Sequence, residues 1–219
     1  FRGINTNYFN PQKILPIKLD KFSKQNNIDR NKFIILLPGR ITYWKGQKIF
    51  IEAIKLLYEK SDTPPLEAII LGSDQGRNVY KKQLIGLVQQ HRLSKVIKFI
   101  DHCSEMPVAY GIANIVCSCS SEPEAFGRVA VESQSMQVPI IASDIGGSKE
   151  TIIKGKTGYL FKNKDPIDLA NSIAAVMQKD YNSIKSIGFE GRKNVLKKFD
   201  VDKMCQTTFT EYKKLIELS

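Results

Sequence analysis

The stretch SEPEAFGRVAVESQSM, residues 121–136, gathers Glu122, Glu124 and Glu132 around a Phe126-Gly127 pair. The run after the glycine reads as a helix. An ionised carboxylate accepts hydrogen bonds from hydroxyl groups. The first amides of a helix lack internal partners and attract anions. A carboxylate beside an anion is repelled by it. Glu124 and Glu132 therefore suit hydroxyls, while the backbone at Phe126, Gly127, Arg128 and Val129 suits an anion. Taken singly, Glu124 reads by default as a helix cap and Glu132 as an exposed helical residue.

A second stretch, PGRITYWKGQ (38–47), carries fixed cations. Gly39 allows a tight turn after a strand. Arg40 and Lys45 follow, with Lys45 next to the start of a helix. Cations at a helix N-terminus suit a phosphate or diphosphate, and an arginine can take two oxygens at once. The plainer reading is a pair of surface cations. The loop is neither a P-loop nor a GxGxxG fingerprint. A ligand with phosphates in its middle and hydroxyls at both ends satisfies both stretches, and a nucleotide-sugar has that form. Two further loops are glycine-rich. LGSDQGRN (71–78) has Gly72, Gly76 and Arg77, which suit close approach to a phosphate or ribose, or a plain turn. SDIGGSKE (143–150) has Gly146 and Gly147, which let the backbone run close to a neighbour or a ligand.

These loops need a scaffold that brings them together. Short continuous apolar runs at 33–38, 66–72, 96–100, 114–120, 138–143 and 157–161 predict six strands. Helical periodicity at 46–60, 79–91, 106–113, 127–136, 147–153 and 165–178 fills the gaps. Continuous apolar strands alternating with amphipathic helices predict an α/β fold. It is a doubly wound, mainly parallel six-stranded Rossmann-like sheet with helices on both faces. Such sheets bind ligands beyond the carboxyl ends of their strands, where all of the loops above fall. Residues 1–32, with Pro11 and Pro16, read as irregular and polar. Asp165, Pro166 and Asp168 form a strong helix start. The tail is helical to residue 218. Its last helix carries Cys205, Phe209, Tyr212 and Ile216 as a stripe that must bury against something.

The 219 residues are 42% apolar and 25% charged, which is soluble globular composition. No apolar run reaches membrane-spanning length, and no signal peptide is visible. The net charge of +11 is spread along the chain. Without aromatic and basic alternation it gives no nucleic-acid surface, and nucleic acid is not an expected partner. Cys103, Cys117, Cys119 and Cys205 form no CxxC pair, and only His91 and His102 could join them. No metal site is expected, and a reducing, cytoplasmic compartment fits. Cys117 and Cys119 share one strand face, as core residues would.

GRITYWKGQ, LGSDQG, SEPEAFGRVAVE, PIIASDIGG and GKTGYLF stand in an order and spacing that resembles the retaining GT-B glycosyltransferases of glycosyltransferase family 4. The resemblance covers nearly the whole chain. Its signature is an E-x7-E pattern, matched by Glu124 and Glu132, while Glu122 falls outside it. The resemblance implies catalytic roles for Arg40, Lys45 and Glu124. The two cations would bind and neutralise the departing diphosphate, and Glu124 would hold hydroxyls of the donor sugar. Glu132 would hold the ribose. Gly39, Gly72, Asp101, His102, Phe126, Gly127, Arg128 and Val129 would complete the substrate site, with Asp101 and His102 near the base. No cofactor is implied, since the nucleoside-diphosphate sugar is itself the donor.

The same resemblance makes this chain one half of a GT-B fold. Residues 1–32 would be the interdomain linker and entering segment, 33–180 the nucleotide-sugar domain, and 181–219 terminal helices reaching toward an N-terminal domain before Phe1. That domain would bind a glycan or lipid-linked acceptor, and the fragment alone would be inactive. Surface polysaccharide or lipopolysaccharide synthesis would follow, at the cytoplasmic face of an anionic membrane that the basic chain could touch. A GT-B nucleotide-sugar epimerase and a non-catalytic nucleotide-binding module are the alternatives. Two positions depart from the family pattern: Gln137 stands where a glycine is usual, and so does Asp101.

Overall fold

The structure is a computed structural model describing residues 2–60, 63–76 and 78–217. The loop residue Arg77, and residue 218 of the expected last helix, lie outside the described residues. Six strands form one sheet: β1 (Phe33–Pro38), β2 (Leu66–Leu71), β3 (Ile97–Ile100), β4 (Ile115–Ser118), β5 (Ile140–Ser143) and β6 (Tyr159–Phe161). Their order is β3-β2-β1-β4-β5-β6, and every pairing is parallel. The order runs outward from β1 in one direction and then resumes from β4 in the other. The crevice between the carboxyl ends of β1 and β4 is therefore the topological switch point, where doubly wound sheets place their ligands. Ile35 and Leu36 of β1 face Ile115 and Val116 of β4 in this central pairing.

Strand alternation divides the core in two. Ile35 and Leu37 face a layer built on α2 (Gln47–Tyr58), α3 (Asn78–Gln90) and α7 (Pro166–Met177). Ile34 and Leu36 face the other layer, with α4 (Met106–Gly111), α5 (Arg128–Ser135) and α8 (Tyr181–Lys198). A parallel sheet buried on both faces needs apolar residues at successive positions, which is why the strands read as unbroken apolar runs. Cys117 and Cys119 are buried in the first layer as free thiols. The Asp165 carboxylate accepts from the amides of Ile167 and Asp168, at 3.0 and 3.1 Å, and so caps α7 as its sequence predicts.

The first thirty residues correct the irregular reading. They hold a 3₁₀ turn at Pro11–Lys13 and the helix α1 at Pro16–Gln25, which starts on a proline. Leu19 and Phe22 of α1 pack on the second layer, and Ile4, Phe9 and Ile28 are buried in it. The helix is short and polar, so its periodicity is faint, and its docking on α4 supplies what its own sequence does not. A short helix α6 (Ser148–Thr151) follows β5. The final helix, α9 (Val201–Glu217), buries none of its described residues, and Phe209, Tyr212 and Ile216 remain exposed. Among the described residues, no helix is long and apolar enough to cross a membrane.

Gln137 adopts φ +59°. It ends the turn between α5 and β5, donating its amide to the Gln134 carbonyl at 3.0 Å. The left-handed backbone is thus carried by a residue that tolerates it poorly.

Candidate functional site

Two loops meet across the switch point. Gly46 follows the Tyr43–Lys45 turn at φ +73°, and a Cβ there would lie 1.8 Å from the Cys119 carbonyl oxygen beyond β4. The Ser121 amide donates to the Trp44 carbonyl at 2.7 Å, closing the same junction. On the other side, a Cβ on Gly72, at φ +153°, would lie 2.0 Å from the Gly39 carbonyl oxygen. The loops after β1, β2 and β4 are therefore in backbone contact, and two glycines make that contact possible.

The loops line an open cleft of about 370 Å³ at the carboxyl edge. Of the residues selected from sequence, Gly39, Arg40, Lys45, Gly72, Asp101, His102, Arg128, Val129 and Glu132 line it. Leu71, Ser73, Cys103 and Met106 complete the wall. Glu124, Phe126 and Gly127 do not line it. Phe126 turns its ring into the core, edge to face with Phe199 at 5.9 Å. Gly127 starts α5 in the left-handed conformation, so the first-turn amides of α5 run from this point.

Lys45, Glu124, Arg128 and Glu132 are paired. Lys45 Nζ lies 2.8 Å from Glu124 Oε1, which also accepts from Ser120 Oγ. Trp44 sits beside both cations of its loop, with Lys45 Nζ 4.5 Å and the Arg40 guanidinium 5.9 Å from its ring centroid. Glu124 is therefore no helix cap: its carboxylate is held by the opposite loop. Glu132 is buried rather than exposed. Arg128, one turn earlier on α5, donates to its Oε1 from Nε at 3.1 Å and from Nη2 at 2.8 Å. The Tyr110 hydroxyl donates to its Oε2 at 2.8 Å. Burial pushes the Glu132 carboxyl above the usual glutamate range, while Tyr110, Arg128 and Lys45 pull against that rise.

On the loop after β3, Asp101 forms an ion pair with Lys81 of α3. Burial raises the Cys103 thiol above its ordinary value, so that side chain stays protonated. Gly147 donates its amide to the Glu124 carbonyl at 2.7 Å, so the glycine pair after β5 serves close approach to a neighbouring loop. Sequence reasoning passed over Tyr110, Ser120, Trp44 and Lys81. The signal for Tyr110 was a lone hydroxyl in the otherwise apolar MPVAYGIA helix, since a buried tyrosine needs a partner. Among the described residues, no cluster of three or more His, Cys, Asp or Glu could hold a metal ion.

Comparison with known proteins fits this geometry. The family model described as "Glycosyl transferases group 1" matches residues 19–194. Over 192 residues the chain is 27% identical to the capsular polysaccharide biosynthesis glycosyltransferase CapM of Staphylococcus aureus, covering 84% of this chain and 48% of that protein. A glycosyltransferase from Rickettsia africae superposes with a TM-score of 0.95 at 30% identity, over 100% of this chain and 57% of its own. HepE of Anabaena, solved in complex with UDP and glucose, superposes with a TM-score of 0.86 at 26% identity, over 97% and 55%. The chain spans about a third to a half of the length of the curated relatives it matches.

Proposed function

Because the chain belongs to the glycosyl transferases group 1 family, we propose that it is the donor-binding half of a retaining GT-B glycosyltransferase. It takes a nucleoside-diphosphate sugar and, with a partner domain that binds the acceptor, transfers a hexose to a glycan or lipid-linked acceptor. Surface polysaccharide or lipopolysaccharide synthesis is the proposed setting, in keeping with the name of the Staphylococcus aureus relative. The cytoplasmic face of the membrane is the proposed location, the basic chain helping it to dock on anionic lipid.

One observation carries this reading: Arg40, Lys45 and Glu132 converge on a single cavity at the switch point, with Glu124 held against Lys45. The roles follow from charge. The diphosphate lies against Arg40, Lys45 and the first-turn amides of α5, which stabilise the charge that builds as it leaves. Glu124, displaced from Lys45 by the diphosphate, accepts hydroxyls of the sugar. Glu132 accepts hydroxyls of the ribose. The base lies toward Asp101 and His102, on the loop after β3.

Titration of the folded chain with UDP, GDP and ADP tests the proposal. Micromolar binding of at least one is expected. The Glu132→Ala substitution should weaken it by about tenfold or more, the loss expected when hydrogen bonds to a charged group are removed. A folded chain that binds none of the three excludes the donor-site reading.

A further inference from the structure

Tyr110 lies behind Glu132. It belongs to α4, is fully buried, and is absent from the cavity lining. Its hydroxyl takes Glu132 Oε2, while Arg128 takes Oε1. The two oxygens of one carboxylate are thus held by very different partners. One is a buried neutral donor. The other is a guanidinium whose side chain is 71% exposed and which itself lines the cavity. Solvent or a ligand can replace the second partner and cannot reach the first.

The tyrosine ring is fixed in turn. It packs edge to face on Phe9, with centroids 6.0 Å apart. The Phe9 carbonyl accepts from Ser135 Oγ at 2.7 Å and from Arg192 Nη1 at 2.9 Å. A glutamate carboxylate turns about its last torsion with a broad, two-fold preference. A buried donor on one oxygen removes that freedom and leaves the other oxygen facing the cavity.

We propose that Tyr110 is a positioning residue of the donor site: it anchors Glu132 Oε2 so that Oε1 is presented to the hydroxyls of the bound nucleotide, with Arg128 as the exchangeable partner of Oε1. This rests on the reading of Glu132 as the ribose-binding carboxylate. Burial and the neighbouring Glu132 push the Tyr110 hydroxyl well above its ordinary value, so it stays protonated and remains a donor. Being neutral, it fixes the carboxylate without adding charge beside the diphosphate.

The test compares two ligands on the full chain by calorimetric titration. One is whichever of UDP, GDP and ADP binds; the other is its 2′,3′-dideoxy form, which lacks the hydroxyls that Glu132 would hold. Tyr110→Phe should lower affinity for the ribonucleotide by about 5- to 20-fold and change the dideoxy affinity by less than about twofold. A merely structural role would lower both affinities alike, and that result, or an unchanged ribose preference, overturns the inference. Glu132→Ala separates the two levels. If it keeps the ribose preference, the ribose reading of Glu132 fails, and the inference with it. If it loses the preference while Tyr110→Phe keeps it, that reading stands and the inference alone falls. Should Tyr110→Phe not fold by itself, the change is made in the Glu132→Ala chain, where the positioning role predicts no further change in the ratio of the two affinities. A further change there overturns it. Failure of all three diphosphates to bind the folded parent removes the donor site and the inference together.

Discussion

Lys45 and Glu124, 79 positions apart in sequence, form an ion pair of 2.8 Å across the switch point of the sheet. Both side chains are largely buried, at 14% and 16% exposure. The site thus holds its cation and its carboxylate against each other. The proposed ligand separates them, with phosphate taking one and sugar hydroxyls the other.

This pairing predicts that binding and turnover separate on substitution. Glu124→Ala frees Lys45 and removes a negative charge from beside the diphosphate. Affinity for the bare nucleoside diphosphate should be unchanged or rise by about two- to fivefold, since the competing carboxylate is gone. Transfer by the whole enzyme should fall by about a hundredfold or more, the scale of losing a group that positions the reacting sugar. Lys45→Ala should do the reverse to binding, weakening it about tenfold, with a shallower salt dependence than the parent. A large loss of diphosphate affinity in Glu124→Ala would contradict the assignment of that carboxylate to the sugar.

Glu132 gives a pH-dependent prediction. Burial is the main cause of its raised carboxyl value, ahead of the opposing effects of Tyr110, Arg128 and Lys45. The folded chain therefore holds this proton more tightly than the unfolded chain does. The stability this contributes is complete below the ordinary glutamate value and is lost as pH rises through the raised one. At neutral pH the buried carboxylate is a net cost to folding. Glu132→Gln keeps an acceptor for Tyr110 and removes the charge. Its Tm near neutral pH should equal or exceed that of the parent, and the difference should shrink toward about pH 4. Nucleotide affinity should fall in the same variant, since function is what retains the charge. A thermal scan across pH reads the first effect. A Tm clearly below the parent at neutral pH would show that the Arg128 pair outweighs desolvation.

Gly46 carries the junction between the loops after β1 and β4. Its φ of +73° strains any L residue, and an added Cβ would meet the Cys119 carbonyl at 1.8 Å. Neither backbone can yield without parting the loops. Gly46→Ala should cost about 2–4 kcal/mol in chemical denaturation, as expected for strain plus overpacking at one site. A cost under about 0.5 kcal/mol would mean that the junction is more pliable than its geometry indicates.

Gln137 offers the opposite case. It is exposed and adopts φ +59°. Glycine at this site relieves the left-handed backbone at the expense of a freer unfolded chain. Gln137→Gly should stabilise the chain by about 0.5–1 kcal/mol and leave nucleotide affinity unchanged. Urea unfolding measures the first and titration the second.

The sequence alone determined the scaffold and the positions of the loops. Unbroken apolar strands alternating with amphipathic helices leave one economical solution, a parallel sheet covered on both faces, and that sheet puts Arg40, Lys45, Gly72, Asp101 and Glu132 at one edge. Local periodicity encodes this because burial repeats with the period of each element. What the periodicity could not encode is which groups touch. Glu124 reads as a helix cap until the loop bearing Lys45 is brought opposite it. Glu132 reads as exposed until α4 is laid behind α5 and places Tyr110 against it. Helix α1 reads as irregular until α4 gives its few apolar residues something to cover. Each of these contacts joins residues that are distant in the chain and adjacent only through strand order. The chemistry of the individual side chains was therefore legible in one dimension, whereas their pairing, and hence the orientation of the two glutamates, was decided by the tertiary fold.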